Sequence, residues 1–297
     1  MRNIPFVAEA SFIFALVGLG FSVWSSIQVV KLQEAVSAST DEQTFDQRVM
    51  ESSDRNLLKK YAAEASRNLQ GWQSASSEIR DDRAKIYGNS DARFSIVEYS
   101  DMECPYCRNF HGTPKYLVDS SKGKVNWQWK HLPLSFHEPA ATEAALASEC
   151  VYDQKGSQGF WAFTEQWFKV SQGNGKGASR PVSEIAASSG ADTKRFDECM
   201  QNRSHQPLVD AQKGYGARIG ITGTPASMIV DNHTGRRVFV KGGAPAGAIA
   251  SAINELAQSS TDLQNLANQT QFELDRQAVR LALSPPTLPA KHDTTSE

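Results

Sequence analysis

The feature that most constrains this chain of 297 residues is a short order of elements within residues 94–132: a strand, a helix opened by two cysteines, and a second strand. Phe94-Ser95-Ile96-Val97-Glu98-Tyr99 is rich in β-branched and aromatic side chains and follows the turn signal Asn89-Ser90-Asp91, which predicts a strand. Cys104-Pro105-Tyr106-Cys107 then opens a helix expected to stop at Ser-Lys-Gly after about Ser120. Val125 to Leu132 alternates in strand fashion until Pro133. Such a unit crosses over right-handed, so the two strands should be parallel neighbours. Cys104 sits beside unpaired helix N–H groups and the positive end of the helix dipole, which favours its thiolate. Cys107, one turn further in, can close a small disulfide ring or resolve a mixed disulfide. The pattern therefore points to redox chemistry.

The charge balance, 31 Lys and Arg against 33 Asp and Glu, gives no pull toward nucleic acid. No basic block appears locally, and nucleic-acid binding is excluded. Ala10 to Val30 is an uncharged apolar stretch, long enough to span a bilayer and too long for the core of a cleaved signal. Val36-Ser37-Ala38 would be a poorly placed cleavage site. Residues 1–30 are thus read as an uncleaved membrane anchor, with the lipid bilayer as partner through residues 10–30. Arg2 before the stretch favours a cytoplasmic N-terminus and an exported body.

Residues 31–85 contain no proline and one glycine, Gly71, and are read as a helical stalk. A diluted seam through Leu58, Ala65, Leu69, Trp72, Ile79 and Ile86 leaves two readings. One is an amphipathic helix lying on its own domain or serving as a spacer, which the Ala, Ser and Arg content favours; the other is a coiled-coil stalk that makes a homodimer. Residues 86–258 form the compact domain. Within them 138–218 read as a helical insertion: Pro139–Val151, an aromatic helix Gln158–Val170, then Pro181–Ser189, Thr193–Asn202 and Pro207–Ile219. Residues 172–177, Gln-Gly-Asn-Gly-Lys-Gly, lack the Gly-Lys-Ser/Thr ending of a phosphate loop and are read as an exposed loop. Ala226–Val230 and Arg236–Val240 flank a turn and predict a hairpin. A closing helix begins at Ala246, and 259–297 are read as a helical extension with a disordered tail after Ser284-Pro285-Pro286.

The motifs Val97-Glu98-Tyr99-Ser100-Asp101 leading into Cys104-Pro105-Tyr106-Cys107-Arg108-Asn109-Phe110-His111, then His131-Leu132-Pro133-Leu134, and Gly220-Ile221-Thr222-Gly223-Thr224-Pro225-Ala226, resemble the DsbA-like thiol-disulfide oxidoreductases. The resemblance covers about residues 84–258. It implies an α/β architecture: a thioredoxin fold with an inserted helical domain, here preceded by a transmembrane helix and stalk. It further implies that Cys104 is the nucleophile, Cys107 the buried resolving thiol, Glu98 a buried acid that exchanges protons with Cys107, and Pro225 a cis-proline facing the cysteines. Thr224 would present backbone groups to an extended substrate, with Pro105 and Tyr106 also at the substrate site. Half of a zinc site is the alternative for Cys104 and Cys107, but Cys150 and Cys199 lack the paired spacing of a four-cysteine site. As in some members of the family, Cys150 and Cys199 would form a structural disulfide; two separate buried thiols are the alternative. His111, His131 and His137 are family-typical, and a solvated or capping role is expected of them. No metal and no cofactor are called for.

The resemblance implies an oxidase on the periplasmic side of the inner membrane, acting on exported cysteine-containing proteins and regenerated by a membrane redox partner. A dimeric isomerase or reductase is the rival within the same chemistry. A non-catalytic assembly module of an envelope complex is the rival from another class.

Overall fold

The computed structural model describes residues 55–258. The anchor expected at 10–30 and the extension expected at 259–297 lie outside them. Among the described residues no helix is long and apolar enough to cross a membrane. The chain divides into two units, Met1–Lys60 and Tyr61–Glu297, and the fold below is that of the second.

Five strands form one mixed sheet in the order β1-β3-β2-β4-β5. These are β1 (Ile86–Tyr87), β2 (Phe94–Ser100), β3 (Val125–His131), β4 (Ala226–Asp231) and β5 (Arg237–Lys241). β2 and β3 run parallel over seven residues, from Phe94 opposite Val125 to Ser100 opposite His131, as the crossover rule requires. β4 pairs antiparallel with β2, placing Glu98 opposite Ser227, and forms the hairpin with β5. The central strand β2 is buried along nearly its whole length, hence its apolar character.

Residues 55–70 are helical (α1). The cysteine helix is in fact two, α2 (Pro105–Phe110) and α3 (Gly112–Ser120), meeting at His111. The insertion comprises α4 (Ala140–Val170), α5 (Val182–Ser188), α6 (Thr193–Asn202) and α7 (Gln206–Arg218). α8, residues 246–258, sends Ile249, Ala252 and Leu256 into the core.

One local reading is corrected. The helix expected to run to 85 ends at 70, and residues 71–85 are turns and irregular chain. Trp72 is only 1% exposed and stacks on Trp161 at 5.6 Å, its Nε1 donating to Glu165 at 2.7 Å. Trp72, Ala75 and part of Leu69 are thus drawn into the main core, while Ile79 is exposed and Ile86 belongs to β1. The expected seam is spent on the domain itself over this range. The two helices expected at 139–151 and 158–170 are both present, joined end to end in α4 across a kink at Gly156. Gly156 has φ 58°, and a Cβ there would lie 2.5 Å from the Ser77 carbonyl carbon, so the irregular 71–85 segment crosses where only glycine fits.

Cys150 on α4 and Cys199 on α6 form a disulfide, with Cα atoms 5.8 Å apart. Cys150, Cys199 and His205 are the one group of His, Cys, Asp or Glu that the described residues bring within shared ligand distance, and both sulfurs are bonded to each other. Next to it, buried Glu149 pairs with Lys85, Arg83 and His131. These charges hold its carboxyl far below the usual carboxylate range despite burial.

Candidate active site

The site forms where β2 ends. Cys104 is the N-cap of α2, in extended conformation, and Pro105 takes the first helical position, where its missing N–H costs nothing. The turn from Asp101 to Cys104 is closed by the Cys104 N–H donating to the Asp101 carbonyl at 3.1 Å. Asp101 is itself locked: Oδ1 accepts from the Glu103 N–H at 2.8 Å, while Oδ2 accepts from the Leu134 N–H at 2.9 Å and lies 2.7 Å from His137 Nδ1. The strand end, the nucleophile turn and the short 3-10 turn Ser135–His137 therefore move as one piece.

Both cysteines are free thiols. Cys104 is 4% exposed and Cys107 not at all, while Tyr106 between them is 73% exposed. The Cys104 thiol is lowered to about 6, first because Cys107 donates to it and then because the Cys107 and Tyr106 N–H groups do, together outweighing burial. Cys107 is pushed well above its ordinary value, first by burial and then by its bond to Cys104 and the charges of Cys104 and Glu98. Its sulfur also accepts a long bond from the Asp101 N–H, 3.5 Å. The two sulfurs are thus strongly unlike: one ready to ionise near neutrality, the other held protonated.

Glu98 lies beneath them on β2, fully buried. Trp127 Nε1, from β3, donates to its Oε2 at 2.9 Å, and Oε1 has no partner among the described residues. Burial, helped by the Cys104 charge, pushes this carboxyl up to about 7. Above the cysteines, the Thr224–Pro225 peptide is cis, and the Cys104 Sγ lies 3.5 Å from the Thr224 carbonyl oxygen. A cleft of about 220 Å³, lined by residues 220–226, Phe239 and Lys241, opens beside this turn. Cys104, Cys107, Glu98, Thr224, Pro225, Pro105 and Tyr106 are therefore brought together, and Cys150 and Cys199 are apart from them in the insertion.

The three histidines are not solvated. His131 is buried, with Nε2 2.9 Å from Glu149 Oε1 and Nδ1 accepting from Trp129 Nε1 at 3.1 Å. His137 is buried on Asp101. His111 sits among Trp72, Trp127, Trp161 and Phe168, neither ring nitrogen has a partner among the described residues, and burial lowers it to about 3. Burying a polar ring without partners holds it neutral.

Sequence reasoning missed Glu103 and the loop it holds. Glu103, immediately before the nucleophile, is fully buried. Its donors come from residues 167–177, so no local pattern announces it.

The family description Thioredoxin matches residues 81–238. The chain is 35% identical to Pseudomonas aeruginosa DsbA2, whose crystal structure it matches with a TM-score of 0.53 over 94% of that chain and 59% of this one. This chain belongs to the thioredoxin family, in its DsbA-like branch of thiol-disulfide oxidoreductases. It is also 34% identical over 87 residues to disulfide bond formation protein D of Bacillus subtilis, covering 28% of this chain and 38% of that one. A stretch of 130 residues, 44% of this chain, is 30% identical to part of the Na(+)/H(+) antiporter NhaA 1 of Mycolicibacterium gilvum. The chain spans about a fifth of the length of the antiporters it matches first.

Proposed function

We propose that this DsbA-like protein introduces disulfides into exported proteins on the extracytoplasmic face of a membrane, held there by residues 10–30. The observation that carries this reading is the inequality of the two thiols, with Cys104 lowered to about 6 and Cys107 raised, beside the cis Thr224–Pro225 turn. A stabilised Cys104 thiolate favours the reduced enzyme and so makes its disulfide the more oxidising. A substrate thiolate attacks Sγ of Cys104, the Cys104–Cys107 bond breaks, and Cys107 leaves with the electron pair. Glu98, poised near pH 7, supplies the proton that Cys107 takes up. The substrate's second thiolate then attacks its own sulfur in the mixed disulfide and expels Cys104 as a stable thiolate. Two electrons have passed to the enzyme, and a membrane redox partner removes them. The Thr224 carbonyl beside Cys104 offers an acceptor to an extended chain, with Pro225, Pro105 and Tyr106 as the surrounding contacts. The Cys150–Cys199 disulfide suits an oxidising compartment.

The equilibrium potential of the Cys104–Cys107 couple against glutathione tests the direction. A value well above that of thioredoxin, about −270 mV, is expected; one at or below it would turn the reading to a reductase. Cys104→Ser should abolish exchange, and retained function would favour the assembly module.

A further inference from the structure

The cleft beside the cis-proline turn carries a chemistry that thiol exchange by itself does not use. Residues 220–226 form one wall, and Phe239 and Lys241 of the edge strand β5 form the other. Val238 and Val240 pack on the main core, so the alternation of a strand turns Phe239 and Lys241 to the opposite face of the sheet, where Ile221 and Ala226 lie. The register sets Lys241 opposite Ala226, two residues past Thr224, whose carbonyl oxygen is 3.5 Å from Cys104 Sγ. The cleft therefore begins at a neighbour of the nucleophile and ends at a cation. Gly220, Gly223 and Gly242 also line it, and a Cβ on any of them would meet no atom within 4 Å beyond its chain neighbours. It stays open where side chains would have closed it.

Lys241 is the one charged residue of this lining, is exposed, and forms no ion pair among the described residues. Phe239, 39% exposed, lays an apolar surface beside it. Thr224 Oγ1 is buried with no partner among the described residues, a hydroxyl able to donate. A volume of about 220 Å³ takes a single side chain. An ammonium and a hydroxyl beside an apolar ring suit a carboxylate carried on methylene groups. An extended chain hydrogen-bonded at the Thr224 carbonyl advances about 3.3 Å per residue, which brings side chains one or two positions from its cysteine within reach of the cleft. We propose that the cleft is a side-chain subsite for the polypeptide that exchanges at Cys104, with Lys241 its specificity-determining residue, and that it favours chains with Asp or Glu within two residues of the reacting cysteine. This inference rests on the oxidoreductase reading given above.

The test mixes the full chain, its Cys104–Cys107 disulfide formed, with dithiol peptides bearing Glu or Lys two residues before or two residues after the reacting cysteine. Each exchange closes the peptide's two thiols into a disulfide and leaves both enzyme cysteines reduced, so electrons balance without a further oxidant. Acid quenching and alkylation of the enzyme thiols give the second-order rate constant. The ratio of the Glu rate to the Lys rate cancels any loss of folded protein, and comparison with the parent cancels each peptide's own thiol reactivity. In one of the two placements that ratio should fall about fivefold in Lys241→Gln, the value of an exposed ion pair, and further in Lys241→Glu. Gly223, unlike Gly220 and Gly242, has no positive φ and accepts a side chain. Gly223→Leu fills the cleft and should bring the ratio to that of Lys241→Gln. A Lys241→Glu protein that keeps the parent's ratio in both placements overturns the proposal, as does a Gly223→Leu protein that keeps it. If the unaltered protein exchanges with none of the peptides and not with dithiothreitol, the oxidoreductase reading itself has failed, and the proposal falls with it.

Discussion

Replacing Glu98 by Gln removes one titration from the folded protein while keeping its shape, since the amide oxygen can still accept from Trp127 Nε1. The carboxyl stands at about 7 in the fold against 4.5 for an unperturbed glutamate. The folded chain therefore keeps this proton longer than the unfolded chain. The stabilisation is complete below pH 4.5, drains away as pH rises to about 7, and changes no further above it. Between pH 5 and pH 8 the linkage amounts to about 2.5 kcal/mol, an order-of-magnitude figure for a fully buried group. Urea denaturation of the reduced protein at both pH values reads it directly. All other titrating groups are common to both proteins, so the stability of Glu98→Gln minus that of the parent should be larger at pH 8 by about this amount. Parallel stability curves for the two proteins would refute the argument. They would mean that Glu98 is hydrated or paired in a way that leaves its titration ordinary, and the proton-supplying step would lose its basis.

Alkylation of the reduced protein by iodoacetamide should follow an ionisation near pH 6 for Cys104, moving upward in Cys107→Ala as the donor to its sulfur is removed; a profile near pH 9 would count against the site electrostatics. Replacing both Cys150 and Cys199 by Ser should cost about 2–4 kcal/mol in denaturation experiments, as expected for a bridge closing a loop of this size, with exchange at Cys104 retained. His111 is held neutral, with its folded value at about 3 below the ordinary 6.5, so stability is lost as pH falls from 6.5 toward 3. His111→Phe should spare about 3 kcal/mol of that loss at pH 4, measured as the difference between denaturation midpoints; an acid sensitivity equal to that of the parent would contradict the burial argument.

The parts of this fold legible in the sequence are those written in contiguous residues. The strand, cysteine helix and parallel strand follow from local pattern plus one handedness rule, and the hairpin at 226–241 from its turn. The insertion helices were placed within a few residues, and the break between the first two falls at Gly156, where the chain around Ser77 crosses. What escaped were residues whose meaning comes from distant partners. Trp72 has the spacing of a coiled-coil seam and Glu103 the look of a surface acid, yet each is sealed by side chains from α4 and the segment after it. The histidines were misread for the same reason: a ring among tryptophans and a ring on a buried carboxylate look alike in one dimension.

The inward turn of Trp72 also alters how far the catalytic face can travel. A domain starting at 86 on an anchor ending at 30 would have had 55 residues of tether, residues 31–85. Because the compact unit starts at Tyr61, only residues 31–60 are left outside it. With residues 31–54 at full extension and 55–60 helical, those thirty span at most about 90 Å, against about 180 Å for the longer tether. If residues 10–30 lie in the bilayer, Cys104 works on a short leash, on chains that are themselves close to the membrane.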